Sequence, residues 1–194
     1  SCGVVYLNPR PSVDELERIY PPDYHAYQFS KEEFGLVHGV RRKLEARRLL
    51  ACCRGLSAGA RILDVGCGDG FHLALLRDFG SGDWKLEGVD AAPRAVLAAR
   101  RAGLSVHQGS IQDADLGAAS YDLVFLIATI EHVADPVQVL HAVRRILAPG
   151  GRAVVITDNT DTVDFALFHR RYWGGYHFPR HWNLFHRKSL ELLA

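Results

Sequence analysis

From Arg61 onward, short apolar runs alternate with stretches of helical spacing. Ile62–Val65, Leu86–Asp90, Ser105–Gln108, Leu123–Ile127 and Ala153–Thr157 read as five strands. The run Leu123-Val124-Phe125-Leu126-Ile127 is apolar throughout, as a strand covered on both faces should be. Residues 71–79, 93–102 and 136–147 read as helices. Pro93 suits a first helical turn, and Pro149-Gly150-Gly151 stops the third helix. Strand–helix alternation with right-handed crossovers predicts an α/β fold, a doubly wound and mostly parallel sheet with helices on both faces.

The flanks follow other patterns. A short helix is expected over Ser12–Tyr20, with Ser12 as cap and Glu15 three residues on. A longer one is expected over Lys31–Arg54, with Arg41-Arg42-Lys43 and Arg47-Arg48 as a solvated face. The stretch from about 160 to 187 is dense in aromatic and histidine residues, and a last helix starts at Ser189. This divides the chain into an N-terminal helical cap segment, 1–55, and a core, 56–194, that carries the aromatic/His-rich insertion.

Composition narrows the function classes. With 194 residues, 48% hydrophobic and 23% charged, the chain suits one globular domain with a sizeable core. A net charge of +1 gives no global field for nucleic acid or an anionic membrane, and no apolar run has bilayer length. The four cysteines, Cys2, Cys52, Cys53 and Cys67, form no disulfide or metal pattern, which points to a reducing, cytoplasmic setting. The chain opens Ser-Cys-Gly and contains no Met, so truncation at both ends is expected.

The chemistry concentrates in Asp64-Val65-Gly66-Cys67-Gly68-Asp69-Gly70, between a predicted strand and a predicted helix. In a doubly wound sheet ligands bind at that end of the strands, and glycines let the backbone approach them closely. Asp90 ends the next strand twenty residues after Gly70, the spacing at which a carboxylate reaches a ribose diol. A dinucleotide fingerprint would need its third glycine at position 71, which is Phe71, and no Lys-Ser or Lys-Thr follows for a P-loop. The loop therefore suits a ligand without a pyrophosphate, such as S-adenosylmethionine.

The glycine loop, Asp90, Gly109-Ser110-Ile111, Tyr121-Asp122-Leu123-Val124 and Leu147-Ala148-Pro149-Gly150-Gly151 together resemble, in order and spacing, the motifs of class I S-adenosylmethionine-dependent methyltransferases. The nearest types are the small-molecule methyltransferase domains 23 and 11. The resemblance covers roughly Arg61–Asp158 and implies a Rossmann-like cofactor fold. It places Gly66, Cys67, Gly68 and Gly70 beside the methionine part of the cofactor, whose product is S-adenosylhomocysteine. It gives Asp64 the amino group, Asp90 and the adjoining Ala91 the ribose end, Ser110 and Ile111 the adenine, and Leu126 and Ile127 the floor.

No Pro-Pro-aromatic run follows the fourth strand, which argues against a methylase of DNA amino groups. Glu131-His132 followed by Asp135-Pro136 is instead similar to small-molecule enzymes, including those of quinone biosynthesis, and His177-Phe178-Pro179-Arg180-His181 before Leu184-Phe185 resembles the tail of the domain 23 type. The implied function is transfer of a methyl group to an O or C acceptor on a small molecule, by a monomer or homodimer. The alternative is a cofactor-binding module without turnover.

A hydroxyl or carbon acid must also lose a proton, which a histidine can take near neutral pH. His132 is the first candidate, with His177 and His181 behind it. Tyr20, Tyr24, Trp173 and Tyr176 are candidates for an apolar acceptor pocket, or for ordinary packing. Cys2-Gly3 and Asn8-Pro9-Arg10-Pro11 resemble the exit of a zinc-binding Cys-x-x-Cys-Gly element, but with one of its cysteines no metal site is expected in this chain.

Overall fold

The computed structural model describes residues 3–12, 15–19, 31–170 and 172–193. Its strands are β1 (Val5–Tyr6), β2 (Arg61–Val65), β3 (Lys85–Asp90), β4 (Ser105–Gln108), β5 (Tyr121–Ile127), β6 (Leu147–Ile156) and β7 (Asn183–Leu184). Its α-helices are α1 (Leu16–Ile19), α2 (Lys31–Cys52), α3 (Phe71–Phe79), α4 (Pro93–Arg101), α5 (Pro136–Ile146), α6 (Val163–Phe168) and α7 (Arg187–Leu193).

Five strands form one parallel sheet in the order β4-β3-β2-β5-β6. The alternation along each strand assigns its two faces. Leu63 and Val65 of β2 lie in register with Val124 and Leu126 of β5, and all four pack with Val139, Val143 and Ile146 of α5. On the other face Ile62, Leu123 and Phe125 meet Leu75 and Leu76 of α3, Ala46 and Leu49 of α2, and Cys53 just after it. Each large side chain buried in this way contributes roughly 1.5–3 kcal/mol. The segments on either side of residue 55 thus share one core.

The strand order reverses at β2. The chain runs outward through β3 and β4, then returns to place β5 on the other side. The crevice at the carboxyl ends of β2 and β5 is therefore the position where this topology receives ligands.

Strands β2, β3 and β5 begin one or two residues earlier than the sequence predicts, and β6 and α7 do so for identifiable reasons. Pro149-Gly150-Gly151 reads as a helix stop, yet β6 already starts at Leu147, which pairs with Tyr121 before a bulge. Gly150, at φ 79°, lets that extended segment turn. Helix α7 starts at Arg187, because His186 N–H donates to Ser189 Oγ and Ser189 N–H to His186 Nδ1.

The chain ends meet. β1 pairs antiparallel with β7, and Leu7 N–H donates to the Trp182 carbonyl. The Ser12–Glu15 cap forms as expected, with Ser12 N–H donating to Glu15 Oε2 at 2.8 Å ahead of α1. Tyr20, Tyr24 and Cys2 lie outside the described residues. Among the described residues no helix is long and apolar enough to cross a membrane.

Candidate active site

The glycine loop is held from three sides. Gly66 and Cys67 donate their N–H groups to the Val89 carbonyl at the end of β3. Thr129, just after β5, donates its hydroxyl to the Val65 carbonyl at 2.8 Å. The Asp90 carboxylate accepts from Gly68 N–H and from Ala92 N–H, both at 2.8 Å. Gly66, Gly68 and Gly70 all have positive φ, and a Cβ on Gly68 would meet nothing within 4 Å. The loop backbone is thus bare at Gly68, while Thr129 crowds Gly66 and Leu104 crowds Gly70.

Asp64 ends up in an unusual place for a carboxyl group. It is 1% exposed, and its Oδ2 has no hydrogen-bond partner. His72 Nδ1 stands 3.8 Å away, beyond hydrogen-bonding distance. Burial, and then the charge of Asp90, push its pKa up to about 8. Cys67 points the other way, into the core with Leu73 and Val96, and its Sγ occupies the space a Cβ on Gly88 would take. Burial first, then Asp64 and Asp90, raise its thiol above the ordinary cysteine range, which makes it a packing residue.

The other predicted cofactor positions separate into two groups. Ala91 is exposed, and Ser110 is half-buried in a turn where its hydroxyl donates to Asp113. Ile111 and Leu126 are 3% and 0% exposed and belong to the core cluster against α5, while Ile127 is half-buried. Trp173 and Tyr176 pack on Phe165 and on each other, and Trp173 Nε1–H donates to Asp164 at 2.8 Å.

A second constellation forms beyond β5. Glu131 and His132 sit in a 3-10 turn, Ile130–His132. The C-terminal segment folds over this turn, with Trp182 N–H donating to the Glu131 carbonyl at 2.8 Å. His132 Nδ1 lies 3.0 Å from the Arg180 carbonyl. His181 Nδ1 lies 2.7 Å from the Gly175 carbonyl and 3.2 Å from Asp158 Oδ2. The rings of His132 and His181 meet edge to face at 4.6 Å, and His177 Nδ1 lies 3.3 Å from His181 Nε2. The structure thus brings all three predicted histidines together.

It also adds residues that had no assigned role. Glu131 is 1% exposed; neither its Oε2 nor Thr157 Oγ1 makes a close hydrogen bond, though the Thr157 hydroxyl is near enough to lower the Glu131 carboxyl somewhat. Asp158, two residues after β6, pairs with His181. Their signal was positional: both follow the carboxyl end of a predicted strand. Burial raises Glu131 above the usual carboxylate range. Burial, then His181, lowers His132 to about 4. His181 loses by burial but is raised overall by Asp158, the Gly175 carbonyl and Glu131. Among the described residues, ligand atoms of Glu131, His132 and His181 lie within 4.8 Å of one another.

A family model described as a methyltransferase domain matches residues 36–194. The chain belongs to this methyltransferase domain family. A ubiquinone biosynthesis O-methyltransferase of Cereibacter sphaeroides is 37% identical over 115 residues, which are 56% of this chain and 45% of that protein. The chain spans about half the length of the curated relatives it matches. A methyltransferase from Thermotoga maritima superposes with a TM-score of 0.64 at 23% identity, over 84% of this chain and 72% of that one. A phosphoethanolamine N-methyltransferase of Haemonchus contortus, in complex with S-adenosylhomocysteine, gives 0.59 at 21% identity, over 78% and 35%. The five-stranded parallel sheet is the Rossmann-like methyltransferase fold.

Proposed function

We propose that this methyltransferase domain binds S-adenosylmethionine and transfers its methyl group to an oxygen of a small molecule. The observation that carries the reading is a pair of buried carboxyl groups, each with one unpartnered oxygen. Asp64 is the penultimate residue of β2, and Glu131 lies in the turn after β5, the neighbouring strand across the switch point. An orphaned buried carboxyl oxygen is costly unless a ligand completes it. Asp64 faces the glycine loop and fits the cofactor's ammonium group. Glu131 lies among histidines and fits the acceptor side. The name of the Cereibacter sphaeroides relative supports an oxygen acceptor.

When bound, S-adenosylmethionine supplies a methyl group already activated on a sulfonium sulfur. What remains for the chain is alignment, exclusion of water and removal of the acceptor's proton. Asp64 would hold the ammonium group. The lone pairs that Asp90 does not use on Gly68 and Ala92 would take ribose hydroxyls, with Ala91 and Ser110 alongside. On the acceptor side, His132 Nδ1–H donates to the Arg180 carbonyl and His181 Nδ1–H to the Gly175 carbonyl, which leaves the Nε2 atoms as lone-pair bearers. His132, His181 and Glu131 would then receive the acceptor's proton, with His177 relaying it from His181 towards solvent.

Calorimetric titration of the chain with S-adenosylmethionine, S-adenosylhomocysteine and NADH in parallel tests this. Micromolar binding of the two adenosyl ligands but not NADH is expected. NADH binding, or a folded chain that ignores both adenosyl ligands, would sink the reading.

A further inference from the structure

We infer that the cofactor enters in exchange for a proton: the ammonium group of S-adenosylmethionine takes the place of a hydrogen on Asp64, so that each binding event releases one proton. The inference rests on the cofactor reading above and deepens it, by stating how pH regulates that site.

The geometry starts with a carboxyl group that has little to balance a charge. Asp64 is one residue before the end of β2, on the face that Ile62 turns toward α3. It is 1% exposed, and its Oδ2 has no hydrogen-bond partner. Asp90 of β3 repels a charge there. Cys67 of the glycine loop brings a buried thiol. From α3 comes His72, whose Nδ1 stands 3.8 Å from Oδ2. Burial lowers the His72 pKa below the ordinary histidine value, which favours the neutral ring. Around His72, Asp69 adds another acid, while Glu45 and Arg48 of α2 pair with each other at 3.1 Å and so bring no net charge.

A carboxylate enclosed in this way is disfavoured by burial and by its like-charged neighbour. Asp64 therefore carries a hydrogen in the free protein at neutral pH, consistent with its pKa of about 8. An ammonium group has three donors and no acceptor. Against a protonated Asp64 it would set donor against donor. Binding therefore breaks the Asp64 O–H bond. Carboxylic acid and ammonium become a carboxylate paired with ammonium, the proton leaves for solvent, and no covalent bond forms.

Linkage fixes the pH dependence. Below about pH 8 the free protein holds the proton and the complex does not, so affinity for an amine-bearing ligand rises about tenfold per pH unit and levels off above that. S-adenosylhomocysteine keeps the same ammonium group. Methyl transfer therefore leaves the exchange untouched, and product release takes the proton back. The dependence falls on KM and on product affinity, not on the transfer step. A ligand without the amino group, such as 5′-methylthioadenosine, has no cation to exchange.

The test is calorimetry of the full chain near pH 6.5 in two buffers of different ionisation enthalpy, which counts the protons released per ligand bound. S-adenosylhomocysteine should release about one proton and 5′-methylthioadenosine about none. Affinity for S-adenosylhomocysteine should rise about tenfold between about pH 6 and 7, and that for 5′-methylthioadenosine should stay within about twofold. Asp64→Asn keeps the shape of the neutral acid and should abolish both the release and the pH dependence. His72→Gln should retain them, and loss of release in that variant would assign the proton to the imidazole and overturn the inference. Circular dichroism shows whether the variants are folded. Should Asp64→Asn fail to fold, the two ligands on the unaltered chain still decide. S-adenosylhomocysteine binding without proton release, or equal release with both ligands, overturns the inference and leaves the cofactor reading standing. A folded chain that binds neither adenosyl ligand sinks the cofactor reading and this inference with it.

Discussion

The Asp90 carboxylate accepts the Gly68 N–H at 2.8 Å, so the residue that ends β3 also pins the glycine loop that follows β2. Its other oxygen holds Ala92 N–H at the start of α4. Removing Asp90 therefore disturbs more than a ribose contact. Asp90→Ala should lower stability by about 1.5–3 kcal/mol for the charge-assisted hydrogen bonds lost. It should also weaken S-adenosylhomocysteine binding by about tenfold or more, about 1.4 kcal/mol. Asp90→Asn keeps a side-chain acceptor for one of the two N–H groups and should recover part of the stability but little of the affinity. Urea denaturation and calorimetry on the two variants separate the two roles.

Asp64 sets a pH dependence of the unliganded protein. Its folded pKa is about 8 against an ordinary 3.8, because burial and the Asp90 charge favour the neutral acid. Between those values the folded state binds more protons than the unfolded one. The stability is therefore fully present below about pH 4 and is lost as pH rises towards 8, with a slope of up to about 1.4 kcal/mol per pH unit from this group. Asp64→Asn should flatten that segment of the curve. Denaturation midpoints from pH 4 to 9 check it, and an identical slope in the variant would assign the titration elsewhere.

Two glycines are fixed by close approach. A Cβ on Gly66 would stand 2.6 Å from Thr129 Oγ1, and the residue has φ 71°. Gly66→Ala should cost roughly 1–2 kcal/mol for the left-handed backbone alone, and more as Thr129 is pushed off the Val65 carbonyl. Gly88 has no positive φ, but a Cβ there would stand 2.6 Å from Cys67 Sγ and 2.8 Å from Leu73. Gly88→Ala should cost about 1–3 kcal/mol by overpacking. The double variant Gly88→Ala with Cys67→Ala should recover a good part of it. Thermal melts of the three proteins measure the recovery.

The parts of this fold that were legible in the sequence are those encoded by near neighbours. The five sheet strands follow from alternation and from the apolar run of β5, and the cofactor loop from glycines and acids within one strand–turn–helix unit. Leu147–Gly151 was not legible as strand, because Pro-Gly-Gly reads locally as a breaker while its pairing with Tyr121 is tertiary. The acceptor side was half legible. His132 and Glu131 stand out at a strand end, but the contact of His132 with the Arg180 carbonyl spans 48 residues and obeys no period. The burial that leaves Glu131 Oε2 unpartnered depends on the same long-range fold and is invisible in the sequence.

That long-range fold makes the N-terminal strand a brace for the histidine segment. β1 pairs with β7, Leu7 N–H holds the Trp182 carbonyl, and Arg10 Nη1 donates to the Ala134 carbonyl at 2.7 Å beside the Glu131–His132 turn. None of these contacts touches the glycine loop. Deleting residues 1–11 should therefore loosen 177–186 while leaving S-adenosylhomocysteine affinity within about twofold, as expected for sites without shared partners. Trp182 is 8% exposed and reports the loosening. In a Trp84→Phe, Trp173→Phe background its emission should shift to the red and its quenching by iodide should rise on deletion. Unchanged emission would show that the segment holds its place through Trp182–Glu131 and the histidine contacts alone. Lost cofactor affinity with unchanged emission would mean that the N-terminal strand acts on the glycine loop by a route other than β7.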